Sequence, residues 1–216
     1  MVDLPNASCC QNPFCLALPP QERSHMCDIH VMRIYPKKKI FIEKIGKGGH
    51  LHLISRGLAI TIKQRADGKQ RGIECLERGD IIGISNIFRE EEGFAIFYVK
   101  QEIETCTFPT ETFSTLCLKY PELGREVIRS LSHRFDQLVS SLEHSTLDNS
   151  IEKMLFLIQK LRTEQTTLYE QVFSFTHEEL ALLAGINRVT ASRVIDSLKQ
   201  SDVIISLGKG KYKIKV

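Results

Sequence analysis

The sequence predicts an α+β chain: a β-roll, then a long helix, then a winged helix-turn-helix. Three observations predict it. From Val31 to Phe108 short apolar runs alternate with glycine-containing turns, as in an all-β roll or barrel. From Ile128 to Leu142 apolar residues recur every three or four positions. From Phe173 to Gln200 two short helical patterns meet at a glycine between two capping residues. These place a cysteine-rich segment at 1–27, a β-roll at 28–110, a dimerisation helix at 111–145 and a winged helix-turn-helix at 146–216.

At 216 residues, 42% hydrophobic and 25% charged, the chain can bury a core in more than one domain. No uncharged apolar run has the ~18 residues of a membrane span, and no basic-then-apolar leader opens the sequence. A cytoplasmic protein with no membrane partner is expected. In that compartment seven cysteines point to metal binding or redox chemistry more than to a disulfide framework. Cys9, Cys10, Cys15 and Cys27 crowd into the first 27 residues, where Pro13, Pro19 and Pro20 favour a thiol-rich loop. A short helix from Pro20 to Met26 should lead out of it.

In the roll, the runs KIFIEKI, HLHLISRG, LAITIKQ, RGIECLE, DIIGIS and FAIFYVKQEIETCTF read as strands, with a hairpin around Ala66-Asp67-Gly68. His50 and His52 alternate with leucines and should share one solvated strand face. Pro121 can open the long helix, on which Ile128, Leu131, Phe135, Leu138 and Leu142 form a coiled-coil-like seam for a second copy of the chain. Val127 and Val139 lie off the seam and are placed to pack back on the roll. Helical periodicity resumes from Ile151 to Leu161.

In the last segment Thr176 and Glu179 form a capping box for a helix from about His177. Gly185 ends that helix in a left-handed turn, and Asn187 caps the next, whose inward side is Ala191, Val194 and Leu198. Arg188, Val189, Thr190, Ser192 and Arg193 belong to its other side. Two strands around Gly208-Lys209-Gly210 make a wing. From Gln171 onward there are 7 Lys and Arg against 4 Asp and Glu, whereas the residues before hold 22 of each. The excess positive charge lies beside the motif, as binding to duplex DNA requires. No phosphate loop, nucleophile motif or paired acid and base points to an enzyme.

The order of parts, with LERGDIIG in the roll and NRVTASRVIDSLKQSDVI at the second helix, resembles the bacterial Crp/Fnr family of transcription regulators over residues 20–216. The resemblance implies a cyclic-nucleotide-binding-like β-roll acting as sensor, a homodimer on palindromic DNA, and RNA polymerase as a further partner. In the family's cyclic-AMP branch a Glu, an Arg and a hydroxyl hold the nucleotide. Ile84, Phe94 and Ala95 stand at those positions here, so a cyclic nucleotide is excluded, since a buried phosphate would lack its counter-charge.

The Fnr-like redox- and oxygen-sensing branch carries a [4Fe-4S] cluster on three N-terminal cysteines and a distant one. By resemblance Cys106, in EIETCTFPTETF, is the distant ligand and Cys9, Cys10 and Cys15 are its partners, with Cys27 as a substitute. Cys9 and Cys15 reproduce one family spacing, whereas Asn6 stands where another cysteine would be. Three alternatives stay open: a thiol-disulfide switch, a haem on His25, His30, His50, His52 or Cys75, and an organic effector lined by Ile84, Phe94 and Phe97. On the second helix, Ser192 and Arg193 match the branch, but Val189 replaces its Glu. Val packs against a thymine methyl where Glu accepts from cytosine, so an A/T-rich palindrome resembling TTAAT…ATTAA is expected. Arg193 is expected on guanine or phosphate, and Lys209 and Lys211 on phosphate.

Overall fold

The computed structural model describes residues 12–64, 70–145, 149–165, 172–208 and 210–215. Contacts separate two compact units: residues up to Lys63 with Ile73–Asp136, and Gln64–Gly72 with Gln137 onward.

The roll is built on one strand. β1 (Val31–Tyr35), β2 (Ile40–Gly46) and β3 (His50–Gln64) all pair antiparallel with β6 (Glu92–Pro109), while β4 (Gln70–Leu76) and β5 (Ile81–Ile82) pair with β3. β6 is long enough, at 18 residues, to hold β2 along its first half and β1 along its second, on the same edge. HLHLISRG and LAITIKQ, two runs in the sequence, are one strand. Its pairing with β6 shifts register between Ile54 and Ala59. Gly57 makes this possible: its φ is +96°, and a Cβ there would stand 2.0 Å from the Glu102 carbonyl oxygen. β1, with its mixed VMRIY pattern, was not among the runs the sequence signalled.

Two apolar clusters fill the roll. One gathers Tyr35, Ile54, Ala59, Leu76, Ile82, Phe97, Val99 and Ile103, with the Tyr35 and Phe97 rings edge to face at 5.3 Å. The other joins the roll to its flanking helices α1 (Pro13–Leu16), α2 (Pro20–Ile29), α3 (Thr110–Lys119) and α4 (Pro121–Ser145). The thiol-rich segment is therefore not all loop. Asn12 caps α1 through a 3.0 Å bond from the Phe14 amide, and Pro13 sits in the first turn, where its missing N–H costs nothing. Phe14 and Cys15 are thereby turned into the core. On α4, Val127 packs on the roll as expected, but Val139 is exposed, and Leu131 packs against the roll's cluster in the chain rather than standing clear with Ile128, Phe135, Leu138 and Leu142.

His52 also departs from expectation. It is fully buried, with Nδ1 3.1 Å from Thr107 Oγ1 and 3.4 Å from the Tyr35 hydroxyl, because β3 has β5 and β6 on both sides and faces the core there.

The second unit holds α5 (Ser150–Gln165), β7 (Val172–Ser174), α6 (His177–Ala184), α7 (Arg188–Gln200), β8 (Ile204–Gly208) and β9 (Lys211–Ile214). α5 packs on α6, α7 and β7, with Met154 and Ile158 buried. β9 lies between β7 and β8, so the expected two-stranded wing is a three-stranded sheet. Among the described residues no helix is long and apolar enough to cross a membrane.

Burial, and secondarily the charges of Arg33 and His50, lower the His52 pKa to about 3, although Glu43 Oε2 stands 3.8 Å from its Nε2. In the unfolded chain the imidazole takes up a proton near its ordinary ~6.5, so between that pH and about 3 the unfolded state binds more protons. This contribution to stability is fully present above pH ~6.5 and is lost as pH falls, with a slope of at most ~1.4 kcal/mol per unit. Denaturant titrations from pH 7.5 to 4.5 should show that decline, and His52→Gln should flatten it.

Candidate nucleic-acid interface and cysteine site

The helix-turn-helix is assembled from local bonds. Thr176 Oγ1 accepts from the Glu179 amide at 3.2 Å and Glu179 Oε2 accepts from the Thr176 amide at 2.7 Å, completing the capping box. Gly185, at φ +68°, closes α6 in the left-handed conformation. Asn187 Oδ1 then accepts from the Thr190 amide at 2.8 Å and starts α7. Ala191, Val194, Ile195 and Leu198 form its buried side. Their small or branched shapes let α6 and α7 cross closely, leaving the other side of α7 uncovered.

On that side Arg188, Val189 and Arg193 are exposed, and Thr190 and Ser192 are half-buried. Val189, an aliphatic side chain 61% exposed beside two arginines, is placed to touch an apolar group outside the chain. Lys211 is exposed on β9; Lys209 lies outside the described residues. Sequence reasoning missed two residues here. His177 Nδ1 is 2.8 Å from Ser192 Oγ, and His177 Nε2 is 2.8 Å from the Tyr212 hydroxyl, so α6, α7 and β9 meet in one hydrogen-bonded chain. The available signal was a His directly after the capping Thr and a lone Tyr two residues beyond the wing turn.

Of the candidate cluster ligands, Cys9 and Cys10 lie outside the described residues. Cys15 on α1 and Cys106 on β6 are both buried in the cluster that joins the roll to its helices. Cys106 is disulfide-bonded, fully buried, with Sγ 3.5 Å from Met32 Sδ. Cys27 is half-buried on α2. A buried apolar cluster that contains cysteine sulfurs suits a soft, thiolate-ligated iron-sulfur group. A sulfur held in a disulfide has no thiolate charge to offer iron, so Cys106 would serve as a ligand only after reduction. Cys117 shares this core, but burial raises its pKa to about 12, so it stays a protonated thiol and does not compete.

No group of three or more His, Cys, Asp or Glu among the described residues is arranged to hold a metal. His25 is exposed on α2 and His30 follows that helix, while His50 and His52 lie on β3 and Cys75 on β4. Ile84 is core, Ala95 packs beside the other cluster, and Phe94 is 64% exposed rather than lining an interior. None of the three brings charge to a phosphate.

A capped helix-turn-helix with a lysine-bearing wing, behind an antiparallel β-roll, defines a winged-helix DNA-binding regulator. Residues 153–216 match the Crp-like helix-turn-helix domain. The cyclic AMP receptor protein of Thermus thermophilus is 23% identical over 204 residues, covering 94% of this chain and 93% of the relative. The transcriptional activator protein Anr of Pseudomonas protegens is 25% identical over 211 residues, covering 93% and 85%. The solved structure of FixK2 from Bradyrhizobium japonicum shares the fold with a TM-score of 0.74 at 9% identity, covering 87% of this chain and 93% of that one. Residues 153–216 therefore carry a Crp-like helix-turn-helix, and the relatives that the whole chain resembles are transcription regulators rather than enzymes.

Because the capping box fixes where α6 starts, Thr176→Ala should lower the stability of the DNA-binding unit by about 1–2 kcal/mol. Thermal melting of the full-length protein checks this, with Thr176→Ser close to wild type.

Proposed function

We propose that this regulator is redox- or oxygen-responsive and binds an A/T-rich palindrome as a homodimer, its signal entering at the sulfur site around Cys106. One observation supports this above the others. Cys106 is buried, already in a disulfide, and packed in the same cluster as Cys15 and as Leu123 and Val127 of α4. A change of bonding at this sulfur acts on the core that seats α4, and interiors packed to crystal density pass such changes on rather than absorb them.

α4 in turn carries the exposed Ile128, Phe135, Leu138 and Leu142, spaced for a parallel copy, with Leu131 held at the boundary with the roll. Two-fold pairing there would bring two α7 helices to adjacent major grooves. RNA polymerase is the partner that such a dimer would address in the cytoplasm.

Cys9, Cys10, Cys15 and Cys106, with Cys27 as substitute, would hold a [4Fe-4S] cluster; when bound it supplies an oxygen-labile link among these sulfurs. The residues' own part would be to surround those sulfurs with apolar side chains and to tie the N-terminal segment to β6. The disulfide at Cys106 favours a second reading, a thiol-disulfide switch, in which two thiols lose two protons and two electrons to an oxidant and the bond re-forms the thiols on reduction. Cyclic nucleotide binding is not part of either reading, since Ile84, Phe94 and Ala95 replace the groups that would hold it.

Anaerobic purification with iron and sulfide analysis, followed by air, decides between the two. About four irons per chain with visible absorbance that bleaches in air supports the cluster. Iron-free protein that loses two thiols on oxidation, and not in Cys106→Ser, supports the switch. Iron-free protein with an unchanged thiol count overturns both.

Val189 should favour a palindrome resembling TTAAT…ATTAA over one carrying a G·C pair in each half, by roughly 1–3 kcal/mol per half-site. Competition binding measures it, and a preference for the G·C-containing duplex refutes it.

A further inference from the structure

The hydrogen-bonded chain Ser192–His177–Tyr212 has a direction, and the direction determines what Ser192 can offer to DNA. A neutral imidazole has one N–H and one lone pair, so only two arrangements satisfy both 2.8 Å contacts. In one, Nε2–H donates to Tyr212 and Nδ1 accepts the Ser192 proton, leaving Ser192 to act outward only as an acceptor. In the other, the Tyr212 hydroxyl donates to Nε2, and Nδ1–H donates to Ser192 Oγ, leaving the Ser192 proton directed outward. A phenol is a strong donor and a weak acceptor, because its lone pairs are delocalised into the ring. This favours the second arrangement. The stacking of the two rings, with centroids 6.3 Å apart and planes 25° apart, and the burial of Tyr212 in β9 hold the geometry that imposes it.

We propose that His177 is a positioning residue for DNA readout, set by Tyr212 to hold Ser192 as a hydrogen-bond donor toward an acceptor on the DNA, such as a purine N7, a thymine O4 or a phosphate oxygen. The wing thus acts on sequence choice through the recognition helix as well as through its own lysines. A serine hydroxyl is otherwise an indifferent reader, donor or acceptor as the base requires. Held this way it rejects the amino groups of adenine and cytosine at its position. The proposal rests on the reading of α7 as the DNA-facing helix with Ser192 in contact.

The test uses the full-length protein and the palindrome, with affinity measured at constant salt and melting temperature measured alongside. Ser192→Ala should weaken binding about tenfold. His177→Phe should weaken it by a similar factor, and the double variant should be no weaker than either single one, because both remove the same oriented donor. His177→Asn places an amide N–H where Nδ1 stands and should restore most of the affinity. His177→Gln places its amide where Nε2 stands and should not. Additive losses in the double variant, or Asn no better than Gln at equal melting temperature, overturn the role of His177 while leaving the Ser192 contact intact. Unchanged binding by Ser192→Ala overturns the contact itself, and the proposal with it.

Discussion

One apolar cluster seats the flanking helices on the β-roll, and Cys15 and Cys106 both lie inside it. Phe14 and Cys15 enter it from α1, Met26 from α2, Leu51, Leu53, Cys106 and Phe108 from the sheet, Phe113 and Leu116 from α3, and Leu123 and Val127 from α4. Helices drawn from both ends of the roll's sequence are thus packed on a single patch of β3 and β6. Because such an interior cannot be deformed continuously, a bond made or broken at Cys106 has few ways to be accommodated other than by shifting a helix.

Within this core the sulfurs are not equivalent. Cys117 is surrounded on α3 by groups that only penalise its thiolate, and its raised pKa leaves it inert. Cys106 is at the seam between β1 and β3, facing Met32 on one side and Leu53 on the other, and it is the one whose bonding differs from that of the other described cysteines. Burial alone therefore does not distinguish these two sulfurs; their bonding does.

The parts of the structure written in local chemistry were legible in the sequence. Thr176, Glu179, Gly185 and Asn187 act within four residues of themselves, so the caps and the turn of the helix-turn-helix could be read directly, as could the apolar side of α7. What depended on distant partners could not. His52 looks like an exposed alternating residue until β5 and β6 flank its strand. Phe94 looks like lining and is outside; Leu131 fits a seam and packs on the roll. α1 was hidden because Pro13 reads as a breaker unless Asn12 is seen to cap it. The chain His177–Ser192–Tyr212 spans 35 residues and has no periodicity to reveal it.

β7 is only three residues long, yet β9 depends on it for one of its two neighbours. Phe175, just beyond it, is buried and its amide donates to the Gly210 carbonyl in the wing turn. The wing is consequently stitched to residues that precede the helix-turn-helix rather than only to those that follow it. The smallest portable DNA-binding module of this chain therefore begins before Val172. A fragment cut at the start of α6 would keep both helices but leave β9 an open edge, with its lysines on a two-stranded ribbon of marginal order.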